Sequence, residues 1–213
     1  MNESGHYKYP RTPHLPWSEG TDDEDKILSS IDHFENKGVV VTLKYDGENF
    51  SLYHDFLHAR SADSRDHLSR HWLKAFHSQI RELIPESYRV CGENLFAKHS
   101  IYYEDLESYF YGFSIWRNDF CLDWNSTAQM FTTIGIIPVK VIYYDIFDKA
   151  KIISAYAPYK ERHEGYVIRL AGSFKYNEFD KSVAKFVRKD HIQTDKHWMF
   201  SKITKNKLKE GGL

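Results

Sequence analysis

Residues 39–49 read Val-Val-Val-Thr-Leu-Lys-Tyr-Asp-Gly-Glu-Asn, an apolar run that ends in a lysine and a turn. The β-branched start, residues 39–42, predicts a buried strand, because branched side chains suit the pleated backbone. Asp46-Gly47 predicts a tight turn, since glycine tolerates positive φ and aspartate can bond its own backbone. A second strand is expected over residues 49–53, so the segment is predicted to form a β-hairpin.

One lysine, Lys44, lies at the end of the first strand. Burial disfavours a charged ammonium, so we expect the pKa of Lys44 to be lowered and its amine to be a candidate nucleophile. Taken alone, the segment also fits a plain hairpin that carries one solvated lysine. The choice between the two depends on the rest of the chain.

Further short motifs follow Lys44-Tyr45-Asp46-Gly47 in order, namely Ala59-Arg60-Ser61, Gly92-Glu93-Asn94-Leu95 and residues 109–116, 164–168 and 183–188. In this order they resemble the motifs of the covalent nucleotidyltransferases, the superfamily of ATP-dependent DNA and RNA ligases and mRNA-capping enzymes. Asn49 favours the RNA ligases, in which Lys-x-(Asp/His)-Gly-x-Asn is the local pattern. The chain is therefore similar to ATP-dependent RNA ligases.

The resemblance implies an α+β nucleotidyltransferase (adenylation) domain of antiparallel sheets flanked by helices, with ATP in the cleft between the sheets. We expect one such domain over residues 1–213, with an extended lead-in at 1–20 and a basic, mainly helical tail at 189–213. Only 25 residues follow Arg188, too few for the OB-fold that DNA ligases and capping enzymes carry there. The expected form is thus a minimal ligase or a piece of a longer one.

The implied reaction joins RNA 5′-phosphate and 3′-hydroxyl ends. A lysine attacks the α-phosphorus of ATP and forms lysyl-AMP, AMP passes to the RNA 5′-phosphate, and a 3′-hydroxyl then displaces AMP. Two alternatives stay open within the enzyme class, a DNA nick ligase and a GTP-using capping enzyme. A nucleic-acid-binding module without catalysis is the alternative from another class.

The resemblance also implies which cations act on the phosphates. Lys44 matches the nucleophile, and Lys185 matches the lysine that contacts the α-phosphate and stabilises its developing charge. Arg60 matches an arginine near the α-phosphate and the RNA 5′-phosphate, with Arg65 as a competing candidate. Many ligases carry a second cation after the lysine that Lys185 matches. Here the sequence offers two candidates for it, Arg188 and Lys189.

Other matched positions are implied to bind the nucleotide and a metal ion. Glu93 matches the carboxylate that bonds the ribose hydroxyls, and Phe113 matches the ring that stacks on adenine. Asp46 and Asn49 are expected to complete the ATP site. Glu164 matches a carboxylate that engages Mg²⁺ or Mn²⁺; one carboxylate suffices because Mg²⁺ keeps several waters.

Residue 42 departs from the pattern of DNA ligases. Those enzymes often place a glutamate two residues before the lysine, where it binds adenine N6. This chain has Thr42 at that position. Base selection is therefore expected to depend partly on backbone groups.

Composition limits the other functions. The 29 basic and 30 acidic residues balance, so any nucleic-acid surface must be local. Residues 19–25 hold five acidic and no basic residues, whereas residues 181–210 hold nine Lys or Arg and three Asp or Glu. The basic stretch would suit a phosphate backbone, or it forms a solvated tail.

Cysteine content and hydropathy indicate the compartment. Cys91 and Cys121 have no Cys-x-x-Cys spacing, which argues against a disulfide framework and suits a reducing, cytoplasmic compartment. No apolar stretch approaches 18 residues, so no membrane span is expected. The N-terminus has no apolar core typical of a signal peptide.

Local patterns predict the remaining elements. Helices are expected over residues 22–34, with Thr21 as N-cap, and over residues 65–84, 126–134 and from 198 onward. Strands are expected over residues 88–92, 110–116, 139–144, 166–170 and 183–188.

Overall fold

Four strands make up the first sheet of the computed structural model, which describes residues 6–60, 67–189 and 203–212. In this sheet, called sheet A, all pairs are antiparallel and the spatial order is β11-β9-β1-β8. The strands are β1 (Gly38–Lys44), β8 (Val141–Ile146), β9 (Gly165–Leu170) and β11 (Val183–Val187). β1 is central and fully apolar from Val39 to Val41, where burial is complete.

Seven strands make up the second sheet, called sheet B, in the order β10-β6-β5-β4-β2-β3 with β7 beside β5. All pairs are antiparallel except β5 with β7, which is parallel. The strands are β2 (Glu48–Leu52), β3 (Leu57–Ala59), β4 (Tyr88–Asn94), β5 (Phe110–Arg117), β6 (Phe120–Cys121), β7 (Ile137–Pro138) and β10 (Phe174–Lys175).

Three α-helices flank the sheets: α1 (His71–Ile80), α2 (Trp124–Ile134) and α3 (Lys149–Tyr156). Helix α2 begins at Asp123, whose side chain accepts from the Ser126 N–H, and ends at Gly135 with φ of 78°. Short 3₁₀ turns lie at Leu68–Arg70, Arg81–Leu83, Ala157–Tyr159 and Tyr176–Lys181.

Each sheet has its own apolar core on the face that its helices cover. Leu73 and Ile80 of α1 and Phe131 of α2 pack against sheet B. Ile152 and Tyr156 of α3 pack against sheet A. The predicted α+β architecture of antiparallel sheets with flanking helices is therefore confirmed.

The predicted hairpin at Asp46-Gly47 is wrong, because the two strands around it belong to different sheets. β1 pairs with β8 and β9 in sheet A, whereas β2 pairs with β3 and β4 in sheet B. The turn thus crosses from one sheet to the other. Gly47 does not have positive φ; a Cβ there would lie 2.6 Å from the Asn94 carbonyl oxygen. Close approach to β4 requires this glycine.

Two predicted helices differ from the structure. Residues 22–34 form turns and a bridge rather than a helix, because their main chain bonds to residue 14 and to itself in turns. The predicted helix at 65–84 is divided into α1 and two 3₁₀ turns, and residues 61–66 lie outside the described residues. Helix α3 was not expected; Asp148 is its N-cap.

The described part of the tail is also different. Residues 203–212 contain no helix and instead form bridges to Ala97 and Leu106. The Asn206 side chain is buried and donates to the Leu95 carbonyl at 2.8 Å. The mainly helical tail is therefore wrong for these residues, and residues 190–202 lie outside the described residues.

Candidate active site

A cavity of about 680 Å³ is lined by residues from both sheets. Sheet A contributes Lys44 and Lys185, while sheet B contributes Glu93 and Phe113. Arg60, which directly follows β3, lines the same cavity. The cavity thus brings together residues from motifs that lie as much as 141 residues apart, 185 − 44, in the sequence.

The register of sheet A explains why the two lysines face the cavity. Thr42 pairs with Val167, and Val167 pairs with Lys185, while Lys44 pairs with Gly165. Side chains two residues apart on a strand share a face, so Thr42 and Lys44 project to the same side as Lys185.

Lys44 forms an ion pair with Glu164, the residue that directly precedes β9. Burial lowers the pKa of Lys44, but the carboxylates of Glu164, Glu93 and Asp46 more than offset this, and the pKa is raised. The expected lowered pKa is therefore wrong for this conformation. In this state Lys44 is an ammonium, and it becomes a nucleophile only when its pairing with Glu164 is released.

Glu93 is half-buried in the cavity near Lys44. Burial raises the pKa of Glu93 to about 8, with smaller contributions from the negative charges of Glu164 and Asp46, while Lys44 opposes the shift. At neutral pH this carboxyl is therefore largely protonated and presents both a donor and an acceptor.

Asn49 lies opposite Glu93 in the β2–β4 register and lines the cavity. Its buried Oδ1 atom has no hydrogen-bond partner within the described residues. A buried acceptor without a partner is costly, so this oxygen is suited to accept a hydrogen bond from a ligand.

Part of the cavity wall is a cluster of apolar side chains. Phe113 and Val167 contribute to it from opposite sheets, together with Trp116 and Phe174. The Tyr9 ring packs edge-on against Phe113 with centroids 5.2 Å apart. Thr42 is 5% exposed and lines the same cavity. The apolar cluster suits a planar aromatic base.

Asp46, predicted to bind the nucleotide, has a different set of contacts. Its Oδ2 atom accepts from the backbone N–H groups of Ser100 and Ile101 at 2.7 and 2.9 Å. Its own N–H donates to the Tyr103 hydroxyl at 2.9 Å. Asp46 does not line the cavity, and in this conformation it fixes the loop at residues 100–101.

The structure separates the candidates for further cations. The Arg188 Nε atom donates to the His163 carbonyl at 3.1 Å, and the Lys189 N–H donates to Glu19 Oε2 at 3.3 Å. Neither residue lines the cavity. Arg65 lies outside the described residues.

Sequence reasoning missed the residues that the lead-in contributes. Tyr9, Pro10, Arg11 and Thr12 line the cavity although no motif includes them. The three evenly spaced prolines at 10, 13 and 16 indicated an extended segment but not its position. Only the fold shows that this segment covers the cavity.

The carboxylates do not form a metal site by themselves. The described residues contain no group of three or more His, Cys, Asp or Glu side chains arranged to hold a metal ion. Glu164 is 7% exposed and faces Lys44. One carboxylate with phosphate oxygens and water satisfies Mg²⁺, so the residues fit a metal that arrives with a phosphorylated ligand.

The cavity wall therefore combines two kinds of surface. Two lysines and an arginine suit a chain of phosphates, and an aromatic slot suits a base. An amine and a carboxyl close to these cations suit nucleophilic transfer at phosphorus.

Comparison with known proteins gave a match to one family model. A family model described as RNA ligase matches residues 37–187. No curated protein sequence matches the chain. No helix in the described ranges is long and apolar enough to cross a membrane.

Several solved structures share this fold. The archaeal ATP-dependent RNA ligase in form 1 gives a TM-score of 0.55 at 15% identity, covering 84% of this chain and 48% of that one. Naegleria gruberi RNA ligase with PPi gives 0.52 at 19% identity, covering 74% and 51%. A lysine-to-alanine mutant of the same ligase with ATP and Mn gives 0.55 at 15%, covering 87% and 61%. The chain spans about half the length of these proteins.

Proposed function

The chain belongs to the RNA ligase family, as its motifs predicted, and we propose that it is an ATP-dependent ligase that joins RNA 5′-phosphate and 3′-hydroxyl ends. One observation carries the proposal: Lys44, ion-paired to Glu164, shares a single cavity with Glu93, Phe113 and Lys185. A binding module has no need for a buried lysine beside these groups.

Lys44 acts as the nucleophile. Once released from Glu164 and deprotonated, its Nζ atom attacks the α-phosphorus of ATP, a P–N bond forms, and the bond to pyrophosphate breaks. An oxygen of the RNA 5′-phosphate then attacks the same phosphorus, breaks the P–N bond and takes the AMP. A 3′-hydroxyl finally attacks the activated 5′-phosphate, loses its proton and releases AMP.

The cations of the cavity stabilise the charge that develops on phosphorus. Lys185 and Arg60 are positioned to neutralise phosphate oxygens, and the Arg60 fork also suits an RNA 5′-phosphate. Glu164 would hold Mg²⁺ or Mn²⁺, and such an ion supplies further charge neutralisation when bound. A relative of this fold was solved with ATP and Mn.

Sheet B supplies the groups that recognise the nucleoside. The Phe113 ring stacks on adenine, and the Glu93 carboxyl bonds the ribose hydroxyls. Asn49, whose Oδ1 has no partner in the described part of the chain, contributes an acceptor on the same side. Thr42 and nearby backbone groups select the base, and Asp46 supports the site through the loop that it fixes.

The natural partner is RNA. Asn49 and Arg60 act on the 5′-phosphate end of the RNA during sealing. The basic stretch of residues 181–210 adds a salt-dependent contribution to RNA binding. A cytoplasmic location is part of the proposal, supported by Cys91 and Cys121, which are both buried and free.

Covalent labelling tests the proposal. The protein is incubated with α-labelled ATP or GTP and a divalent metal and then denatured. We expect label from ATP, and much less from GTP, on the Lys44 peptide. Lys44→Ala and Lys44→Arg abolish it, since arginine stays protonated. Undiminished labelling of Lys44→Ala would reject the assignment.

A further inference from the structure

A short N-terminal run, residues 13–15, lies directly against the strand that carries Lys185. The Lys185 N–H donates to the Pro13 carbonyl at 2.9 Å, and the Leu15 N–H donates to the Lys185 carbonyl at 2.8 Å. These residues lie outside the family match at 37–187. Main-chain bonds therefore fix a segment without known motifs to one edge of β11.

The same run is bound on its other side to residues 26–28. The His14 N–H donates to the Lys26 carbonyl at 2.7 Å, and the Leu28 N–H donates to the His14 carbonyl at 2.9 Å. His14 thus forms parallel bridges to Ile27 on one side and Lys185 on the other. This layering brings the end of the acidic run at residues 19–25 beside Lys185.

Asp25, the last residue of that run, faces Lys185. Its Oδ1 atom lies 3.9 Å from Lys185 Nζ, and its Oδ2 atom lies 3.2 Å from His14 Nε2. The side chains of Asp25 and Lys185 are 14% and 19% exposed, and that of His14 is 1% exposed. His14 Nδ1 is in turn 2.8 Å from Ser18 Oγ.

Charges around Lys185 are mostly positive on the cavity side. Burial lowers the pKa of Lys185, Lys44 lowers it further and Arg60 does so weakly, while Asp25 and Glu164 oppose the shift. His14 adds no charge at neutral pH, because burial and Lys185 lower its pKa to about 4. Glu164 is already paired with Lys44, so Asp25 is the carboxylate paired with Lys185.

We propose that Asp25 is a positioning residue for Lys185, which it holds as an ammonium directed at the α-phosphate against the repulsion of neighbouring cations. This inference rests on the proposed function. His14 supports it by packing against the second carboxylate oxygen, which fixes the orientation of the aspartate. The N-terminal residues 13–28 thus contribute directly to the active site.

The test compares lysyl-AMP formation in the full chain with that of Asp25→Asn and Asp25→Glu across ATP concentration and pH. Asp25→Asn should lower the maximal rate about tenfold and change KM for ATP little, since it weakens transition-state contact. The alkaline limb of the rate profile should move to lower pH, because Lys185 loses its proton more readily. Asp25→Glu should restore most of the rate.

Asp180→Asn is the matched control. Asp180 forms an exposed ion pair with Lys26, the neighbour of Asp25, so this variant loosens the same segment without changing the charge near Lys185. It should match wild type in rate and in pH profile. Asp25→Asn behaving like Asp180→Asn in both measurements would overturn the proposal.

A measurement that does not depend on activity separates this proposal from the function itself. The rate at which acetic anhydride acetylates Lys185 is followed against pH by peptide mass spectrometry. Its midpoint should fall in Asp25→Asn relative to wild type and Asp180→Asn. An unchanged midpoint overturns the positioning role even where wild type forms lysyl-AMP, whereas absence of lysyl-AMP in wild type rejects the proposed function alone.

Discussion

Sheets A and B contribute different chemistry to one cavity. Sheet A supplies charge, with Lys44 on β1 and Lys185 on β11, the two strands on either side of β9, and with Glu164 paired to Lys44. Sheet B supplies the Phe113 ring and a half-buried carboxyl at Glu93. In the proposed reaction, sheet A therefore serves the phosphates and the chemical step, and sheet B serves the nucleoside.

The turn at residues 45–47 joins the two functions. β1 delivers Lys44 to the cavity from sheet A, and β2 begins at Glu48 in sheet B. Because the chain changes sheets there, a shift of one sheet against the other would separate Lys44 from Glu93. The close approach of Gly47 to Asn94 in β4 opposes such a shift.

The largest effect is expected from sheet A. Glu164→Gln should lower the rate of lysyl-AMP formation by about 10²- to 10³-fold, because the carboxylate that would hold the metal ion loses its charge. The melting temperature should fall somewhat, since the amide keeps the shape of the carboxyl but no longer pairs with the Lys44 ammonium. Glu164→Ala should be at least as damaging. The assay is single-turnover labelling with ATP at ordinary Mg²⁺.

Glu82→Gln provides the control, because Glu82 is an exposed glutamate that pairs with Arg81 and His54 away from the cavity. Near wild-type labelling by Glu164→Gln would reject the assignment of Glu164 as a metal ligand. It would also contradict the proposal that sheet A carries the charged groups needed for the chemical step.

A smaller effect is expected from sheet B. Phe113→Ala should raise KM for ATP about tenfold with a lesser change in kcat, since stacking of one base on a ring is worth about 1–3 kcal/mol. Phe113→Tyr should retain most of the affinity. Phe120→Ala, at an exposed ring of the same sheet, is the control. A fall in kcat without a change in KM would contradict the binding role of sheet B.

The smallest effect concerns stability and pH. The pKa of Glu93 is raised to about 8 in the folded protein, so between its ordinary value and 8 the folded state binds more protons than the unfolded state. Wild type therefore loses stability as pH rises through that window. Glu93→Gln has no such proton, so its stability relative to wild type should rise continuously from pH 5 to pH 9.

Urea unfolding at several pH values measures this difference. A constant gap between Glu93→Gln and wild type would show that Glu93 ionises at its ordinary pKa. The sheet B carboxyl would then be charged at neutral pH.

Local sequence patterns predicted which residues meet in the cavity better than they predicted the strand pairing. Short motifs identified Lys44, Glu93, Phe113 and Lys185, which the fold brings to one cavity. Periodicity also identified β4, β5, β9 and α2 within a few residues. These elements have a strong local signal, because burial on one face sets their pattern.

Long-range pairing accounts for what the sequence did not show. Asp46-Gly47 is a dipeptide typical of a hairpin turn. The strands on either side of it nevertheless belong to different sheets, because β1 pairs with β9 and β2 pairs with β4. The helix predicted over residues 22–34 does not form, because main-chain groups of this segment bond to residue 14 instead. The position of Asp25 beside Lys185 depends on these main-chain bonds to residue 14. The acidic run at residues 19–25 does not by itself indicate which cation Asp25 will pair with.

Transfer of AMP to RNA tests the central claim most directly. The labelled protein is freed of ATP and chased with a nicked duplex whose 3′-hydroxyl strand is RNA, and then with an all-DNA nick. We predict that label leaves Lys44, appears on the 5′-phosphate strand and is released as AMP when the RNA nick is sealed. Label that stays on the protein, or an all-DNA nick sealed equally well, would contradict the assignment as an RNA ligase.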